Sequence, residues 1–158
     1  MARALGKWDF RFLQLAEQVA AWSKDPSTKV GAVIVRPEDK TVASLGFNGF
    51  ARGVSDLESR LLNRDEKLML TVHAEENALL SAHERVAGFW LYTNRHPCER
   101  CASRIVQAGI SRVICLTTAE YLSRWADSVA NARVIFGEAG VAVDVVELVQ
   151  EADEPQPE

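Results

Sequence analysis

The segment FWLYTNRHPCERCASRIVQAGISRVICL, residues 89–116, contains a strand pattern, a helix pattern and a second strand pattern in succession. The apolar stretches FWLYT (89–93) and RVICL (112–116) have the composition of strands. Between them, residues 98–108 favour a helix that ends at Gly109. Strands that alternate with helices in this way are typical of an α/β fold.

Flanking segments extend this alternation. The predicted helices are 8–23, 73–85 and 121–137, and the predicted strands are 29–35, 41–47 and 141–148. The first helix has apolar residues at a helical period, namely Phe12, Leu15, Ala16, Val19 and Trp22. The first two strands flank a polar turn and indicate a hairpin. Together these elements predict a three-layer α/β/α sandwich with a mixed central sheet of about five strands.

Residues 48–70 have no clear period and are predicted to form a long loop, which in a compact domain is usually functional or mobile. The segment holds as many acidic as basic side chains: Asp56, Glu58, Asp65, Glu66, Arg52, Arg60, Arg64 and Lys67. We interpret most of these charges as part of a solvated surface.

The composition favours one small globular domain. With 158 residues, 47% of them hydrophobic and 25% charged, the chain can bury a core over residues 1–150. The acidic end, residues 151–158, is predicted to be a disordered tail. The net charge of −4 weighs against a protein that wraps nucleic acid, although it still allows a small anionic ligand.

Cysteine count and hydropathy indicate the cellular compartment of the protein and whether it associates with a membrane. An odd, low number of cysteines without a signal peptide favours a reducing compartment, so we expect a cytoplasmic protein. No apolar run approaches the roughly 18 residues that span a bilayer, and no membrane association is expected.

Cys98 and Cys101 follow Pro97 directly, so both sulfurs fall in the first turn of the predicted helix and point to the same side. The positive end of the helix dipole favours thiolate over thiol. Two such thiolates form half of a tetrahedral zinc site. A redox pair, or two buried thiols that lie close by chance, are the alternatives for this motif alone.

His73 begins the predicted helix of TVHAEENALL and can supply a third ligand. Three protein ligands leave a fourth position for water, as in catalytic zinc sites, where the metal lowers the pKa of water to about 7. Glu75 is then placed to accept and pass on a proton. Taken alone, His73 would be a polar helix cap and Glu75 a favourable first-turn charge.

The combination is more specific than its parts. His-x-Glu followed about two dozen residues later by Pro-Cys-x-x-Cys is the pattern of zinc-dependent nucleobase deaminases. A structural zinc site would lack a fourth ligand and would leave Glu75 without a role. His83 and His96 are interpreted as surface residues, and Cys115 as a core residue of its strand.

Over residues 8–146 the chain resembles the deoxycytidylate (dCMP) deaminase family of the cytidine deaminase-like superfamily. The resembling segments are SKDPSTKVGAVIV (23–35), GFNGFARGVSD (46–56), VHAEENALL (72–80), LYTNRHPCERCASRIVQAGISRVI (91–114) and FGEAGVAV (136–143). The resemblance implies hydrolytic removal of the 4-amino group of dCMP, which gives dUMP and ammonia. It also implies that Zn²⁺ is bound by His73, Cys98 and Cys101, with Glu75 as the proton carrier.

Substrate contacts are predicted at Asn48, which matches an asparagine that reaches the nucleoside in relatives, and at Ala74. Cations suited to the 5′-phosphate are Lys24 and Arg52, with Lys29, Arg60 and Arg64 as further candidates. The resemblance also implies a homo-oligomer, either a hexamer or a dimer. Alternatives are a deaminase of another free base, nucleoside or nucleotide or of tRNA adenosine, and a non-catalytic module with a zinc clip.

Overall fold

A computed structural model describes residues 3–149 of the chain. The helices in chain order are α1 (Lys7–Ala20), α2 (Glu58–Leu62), α3 (Arg64–Leu70), α4 (Ala74–Ser81), α5 (Glu99–Gln107), α6 (Ala119–Arg124) and α7 (Ala126–Ala139). The strands are β1 (Gly31–Arg36), β2 (Thr41–Phe47), β3 (Gly49–Phe50), β4 (Thr71–Val72), β5 (Trp90–Thr93), β6 (Arg112–Thr117) and β7 (Ala142–Glu147). Within this part of the chain, no helix is long and apolar enough to span a membrane.

The central sheet has five strands in the order β2-β1-β5-β6-β7. The hairpin β1–β2 is antiparallel and β1 is antiparallel to β5, whereas β5, β6 and β7 run parallel. The prediction of a mixed five-stranded sheet is therefore confirmed. The short strands β3 and β4 pair with each other and form a separate two-stranded sheet.

Helices cover both faces of the central sheet. On one face α1 contributes Phe12, Leu13 and Ala16 to a core with Val33 and Tyr92. On the other face α4, α5 and α7 pack against alternate residues of the same strands, with members that include Ala78, Ile105, Phe136, Ile34 and Leu91. The alternation along β1, with Val33 facing α1 and Ile34 facing α4, is the period of a strand buried on both sides. The predicted α/β/α sandwich is confirmed.

Two glycines let helices approach the hairpin closely. A Cβ atom on Gly31 would lie 2.0 Å from the carbonyl oxygen of Ala16 in α1. A Cβ atom on Gly46 would lie 2.4 Å from the amide of Ala78 and 2.6 Å from the carbonyl oxygen of Ala74, both in α4. These contacts fix α1 and α4 at backbone distance from the sheet, and the start of α4 carries part of the candidate site.

Several predicted boundaries differ from the structure. Helix α1 ends at Ala20, so Trp22 lies outside it, and its ring, 57% exposed, packs edge-on against Phe47. The predicted helix 73–85 ends at Ser81, because the chain turns there before it buries Val86. The helix predicted over 121–137 is two helices that break at Trp125.

The segment 48–70 is not a single loop. It contains β3, α2 and α3, and Lys67 of α3 is only 6% exposed because it pairs with a buried aspartate. The solvated interpretation is therefore wrong for Lys67. The predicted tail 151–158 lies outside the described residues, and a single domain over 1–150 remains a prediction.

Candidate active site

The structure brings together three side chains that lie far apart in the sequence. The side-chain nitrogen Nδ1 of His73 lies 3.6 Å from Sγ of Cys98 and 3.4 Å from Sγ of Cys101. The donor atoms of all three residues lie within 4.8 Å of one another. In residues 3–149 no other His, Cys, Asp or Glu joins this group or forms a second one of this kind.

Two helix starts position these donors. Cys98 is the residue before α5, and its sulfur accepts a hydrogen bond from the amide of Cys101 at 3.5 Å. His73 is the residue before α4, and its amide donates to Oε2 of Glu76 at 3.3 Å. Glu76 also pairs with Arg104 in the last turn of α5 at 2.6 Å, which ties the start of α4 to α5.

The donor set fits zinc. Tetrahedral zinc with bonds of about 2.3 Å to sulfur and about 2.05 Å to nitrogen would place a sulfur and a nitrogen roughly 3.5 Å apart. The observed separations of 3.6 and 3.4 Å agree with that requirement. Two thiolates and an imidazole are donors that zinc prefers, and three protein ligands leave one tetrahedral position open.

The three donors share protons when no ion is between them. The hydrogen bond with Cys101 is the largest of the causes that lower the pKa of Cys98 to about 4. The hydrogen bond with Cys98 is the largest cause that raises the pKa of His73 to about 9, with the charge of Glu75 adding to it. Metal binding must displace these protons, so the affinity for zinc should fall with decreasing pH.

Glu75 lies in the first turn of α4 and is 4% exposed. Its Oε2 lies 3.6 Å from Sγ of Cys101, so the carboxyl group adjoins the metal-binding group. Burial is the main cause that raises the pKa of Glu75. Such a position would suit a proton carrier beside a metal-activated water.

His96 is 1% exposed, so its interpretation as a surface residue is wrong. Its Nδ1 lies 2.8 Å from the carbonyl oxygen of Pro97, and burial lowers the pKa of the ring. The hydroxyl of Tyr121 donates to the carbonyl oxygen of His96 at 3.0 Å. Both contacts hold the turn that leads into Cys98. The other two interpretations are confirmed: His83 is exposed, and Cys115 is fully buried in β6.

The predicted substrate contacts lie in different surroundings. Asn48 is 5% exposed, and its side chain bonds to the amide of Val30 at 2.8 Å and the carbonyl oxygen of Thr28 at 2.9 Å. Among the hydrogen bonds of the described residues, the Asn48 carboxamide uses one lone pair and one N–H. Its second lone pair and second N–H are available to a further partner. Ala74 is fully buried in the core at the start of α4. Substrate binding by both residues stays a prediction.

The candidate cations are mostly on the surface. Lys24 pairs with Asp56 at 2.7 Å, and Arg60 pairs with Glu66 at 3.3 Å. The Lys29 ammonium donates to the carbonyl oxygen of Ser23. Both Arg52 and Arg64 are exposed. Phosphate binding by any of these cations stays a prediction.

Comparisons with known proteins agree with this geometry. A sequence profile described as the cytidine and deoxycytidylate deaminase zinc-binding region matches residues 6–117. The chain belongs to the cytidine and deoxycytidylate deaminase family. This deaminase is accordingly a zinc-dependent hydrolase, and its His-Cys-Cys group is suited to that metal.

Individual relatives span most of the chain. The deaminase is 44% identical over 140 residues to an uncharacterized deaminase of the luxG 3′ region of Aliivibrio fischeri, a match that covers 88% of this chain and 93% of that one. It is 37% identical over 144 residues to human deoxycytidylate deaminase, with 85% and 77% covered. The fold is similar to that of the cyanophage S-TIM5 dCMP deaminase in complex with dCMP and dUMP, with a TM-score of 0.72, 23% identity and 91% and 100% of the two chains covered.

Sequence reasoning missed Asp25 and Lys67, which form a buried ion pair between the segment before β1 and α3. Asp25 lies in a turn sequence, DPST, where an aspartate commonly accepts the following amides. That signal predicts the turn, but nothing local indicates that a lysine 42 residues away completes it.

Proposed function

We propose that this deaminase converts dCMP to dUMP with release of ammonia. The observation that carries the proposal is the position of the buried Glu75 carboxyl, 3.6 Å from Cys101 and beside the His73–Cys98–Cys101 group. A purely structural metal site has no use for a buried carboxylate beside an open coordination position. The deoxycytidylate substrate is supported by 37% identity to human deoxycytidylate deaminase over 85% of this chain.

Each residue has a defined role in the proposed reaction. Zinc held by His73, Cys98 and Cys101 supplies the Lewis acidity that makes water nucleophilic near neutral pH. Glu75 accepts one proton from the attacking water and delivers it to the ring nitrogen beside the reacting carbon. It then takes the second proton from the hydroxyl group added to that carbon and passes it to the departing amine. The new carbon–oxygen bond replaces the carbon–nitrogen bond, so one water is consumed and one ammonia is released.

The start of α4 shields the Glu75 carboxyl group from bulk water and fixes its orientation. Its side chain is 4% exposed, so bulk water has little access to the carboxyl group. The amide of His73 is held by Glu76, which keeps the preceding ligand and the proton carrier in a fixed relation. A fixed proton carrier avoids the cost of reorienting the group during the reaction.

A substrate panel tests the proposal. Purified zinc-loaded protein is incubated with dCMP, CMP, deoxycytidine, dCTP, guanine and a tRNA anticodon stem, and loss of amine is followed by ultraviolet absorbance and ammonia release. We expect the highest kcat/KM for dCMP. Higher activity on deoxycytidine than on dCMP would contradict a nucleotide substrate, and activity on the anticodon stem alone would favour the tRNA alternative.

The remaining expectations are part of the same proposal. We propose that Lys24 and Arg52 contact the 5′-phosphate, that Asn48 and Ala74 contact the nucleoside, and that the protein works as a cytoplasmic homo-oligomer. The net charge of −4 supports a small nucleotide over an RNA substrate, because RNA-binding surfaces are usually basic. Sedimentation of the purified protein tests the oligomer directly.

A further inference from the structure

The connection between α1 and β1, residues 23–30, is bonded to three buried side chains from separate parts of the chain. These are Lys67 of α3, Asn48 after β2, and Asn94 after β5, which are 6%, 5% and 6% exposed. A short surface connection seldom needs three buried polar anchors. We call residues 23–30 the rim loop.

The first anchor is an ion pair. Lys67 Nζ lies 3.0 Å from Oδ1 of Asp25 and 3.1 Å from Oγ of Ser27. The same aspartate oxygen accepts the amides of Ser27 at 2.8 Å and Thr28 at 3.0 Å. Burial alone would raise the pKa of Asp25, but these amides and the Lys67 ammonium outweigh it and lower the pKa.

The two asparagines hold the other end of the rim loop. Asn94 accepts the amide of Gly31 at 2.9 Å and donates to the carbonyl oxygen of Lys29 at 3.2 Å. Asn48 accepts the amide of Val30 and donates to the carbonyl oxygen of Thr28. Asn48 and Asn94 therefore bond directly to the backbone of the loop. Lys67 bonds to Asp25, whose carboxylate accepts two backbone amides of the loop.

The anchors connect the rim loop to both metal-binding segments. Lys67 lies on α3, which runs through β4 directly into His73. Asn94 lies on the turn that leads into Cys98, next to Thr93, which pairs with Ala32 of β1. The rim loop thus lies at the end of the central sheet where β1 begins and β5 ends, the end from which the chain runs on to Cys98.

We propose that Lys67 is a positioning residue for substrate binding, which acts through Asp25 to hold the rim loop at the active-site edge. A buried ion pair contributes little net stability compared with apolar residues of similar size, so stability alone is a weak explanation for this lysine. The Lys67–Asp25 pair fixes the backbone of the rim loop, and this fixed backbone sets the positions of the exposed residues Lys24 and Lys29. The inference rests on the proposed function only in that it needs a substrate that the enzyme turns over.

The experiment compares Lys67→Met, Lys67→Arg and Asp25→Asn with the parent protein. For each variant, zinc content, thermal stability, amide hydrogen exchange of residues 23–30, and kcat and KM for the best substrate of the panel are measured. Lys7→Met, the same change at an exposed lysine, controls for charge. Tyr92→Phe controls for lost stability, because it removes a buried hydrogen bond to Asp9 on the face of the sheet that α1 covers.

We expect Lys67→Met to bind zinc normally and to lose on the order of 100-fold in kcat/KM, mainly through KM, as is typical when a positioning group shifts by about 1 Å. Amide exchange should accelerate in the rim loop and not in the central strands. Asp25→Asn should reproduce both effects. A double variant that combines Lys67→Met with Asp25→Asn, measured in the same way, should be no worse than either single variant, because each single change already removes the Lys67–Asp25 ion pair. Lys67→Arg should recover part of the loss.

Three outcomes would overturn the proposal: unchanged exchange in the rim loop, an unchanged KM, or an equal rise in KM for Tyr92→Phe at equal loss of stability. If Lys67→Met does not fold, Lys67→Arg and Asp25→Asn decide by the same criteria. The panel substrate is found with the parent protein first. A parent that prefers another substrate over dCMP therefore contradicts the proposed function without affecting the test of Lys67.

Discussion

Two buried carboxylates lie on opposite faces of the central sheet and have opposite surroundings. Asp9 on α1 is 5% exposed and Glu75 on α4 is 4% exposed. Asp9 accepts hydrogen bonds from the amide of Gly6 at 2.9 Å, the hydroxyl of Tyr92 at 2.7 Å and the guanidinium of Arg112 at 3.2 Å. Among the described residues, the only side chain that is hydrogen-bonded to the Glu75 carboxyl group is Cys101.

The number of hydrogen-bond donors around each carboxyl group decides whether its pKa ends up raised or lowered on burial. Burial pushes the pKa of both carboxyl groups up, but in Asp9 the donors and the charge of Arg112 outweigh burial and lower the pKa. In Glu75 burial prevails and the pKa is raised. A carboxylate surrounded by donors is a fixed negative charge that stabilises the fold, whereas one with few donors can exchange a proton.

The largest expected effect comes from Glu75→Gln. Since the amide keeps the shape but cannot carry the proton, kcat should fall by about 10²–10⁴-fold. Zinc content and melting temperature should stay at the parent values, because the parent carboxyl group has few bonds to lose. Zinc analysis, calorimetry and turnover of dCMP check this, with the exposed Glu84→Gln as the matched control. A fully active Glu75→Gln protein would disprove the proton-carrier role.

The next effect tests the helix that carries Glu75. In Gly46→Ala the new methyl group would lie 2.4 Å from the amide of Ala78, so α4 must shift. We expect a loss of about 3 kcal/mol in the free energy of unfolding, as in other overpacked cores. Zinc affinity should fall as well, because His73 directly precedes this helix.

Gly31→Ala is the comparison variant for Gly46→Ala, because it forces α1 away from the sheet on the opposite face. It should lower stability by a similar amount while zinc affinity is retained. Chemical denaturation and competition with a zinc chelator measure the two quantities. Equal losses of zinc affinity in both variants would show that the two faces are not independent.

Asp9→Asn should lower stability and leave turnover unchanged, which is the opposite of the effect expected for Glu75→Gln. The amide leaves Arg112 with Asp144, 2.7 Å away, as its remaining carboxylate partner, and we expect a loss of about 2 kcal/mol. Turnover per folded molecule should be unchanged. Because the pKa of Asp9 is lower in the folded than in the unfolded state, its stabilisation is present above about pH 4 and is lost as the pH falls through the folded pKa.

Denaturation curves between pH 6 and pH 2 check the sign of this effect. The parent protein should lose stability more steeply below about pH 4 than Asp9→Asn, in which this titration is absent. Parallel curves for the two proteins would contradict the assignment of Asp9 as a fixed charge.

The smallest effect is expected for Tyr92→Phe. It removes the hydroxyl that donates to Asp9 but leaves the donors from Gly6 and Arg112. A single buried hydrogen bond contributes about 1 kcal/mol, so the free energy of unfolding should fall by that amount with normal activity. A loss of activity without loss of stability would show that the two faces are coupled.

Local sequence patterns predicted most of the fold and the metal-binding group. The strand at 89–93, the helix from 98 and the strand at 112–116 agree with β5, α5 and β6 to within one or two residues. Period and helix-start residues are properties of neighbouring positions, so they can be recognised without knowing the rest of the chain. The approach of His73 to Cys98 and Cys101 was predicted because the two motifs in this order are typical of zinc-dependent deaminases, although each motif alone had other interpretations.

Burial of charged and polar side chains was not predictable in the same way. Lys67 and His96 were expected at the surface, and both are almost fully buried. Trp22 was expected on a helix and is 57% exposed beyond its end. Each outcome depends on a partner or a close packing contact that the local sequence does not contain.

The sequence by itself predicted His73, Cys98 and Cys101 as a zinc donor set, because the two motifs together, rather than either one alone, are typical of zinc-dependent deaminases. It likewise determined the alternation of strands and helices. Only the tertiary structure decided which of two buried carboxyl groups has a lowered pKa and which has a raised one. The reason is that a pKa depends on the donors around a group in space, and Tyr92 and Arg112 reach Asp9 across 83 and 103 residues of chain.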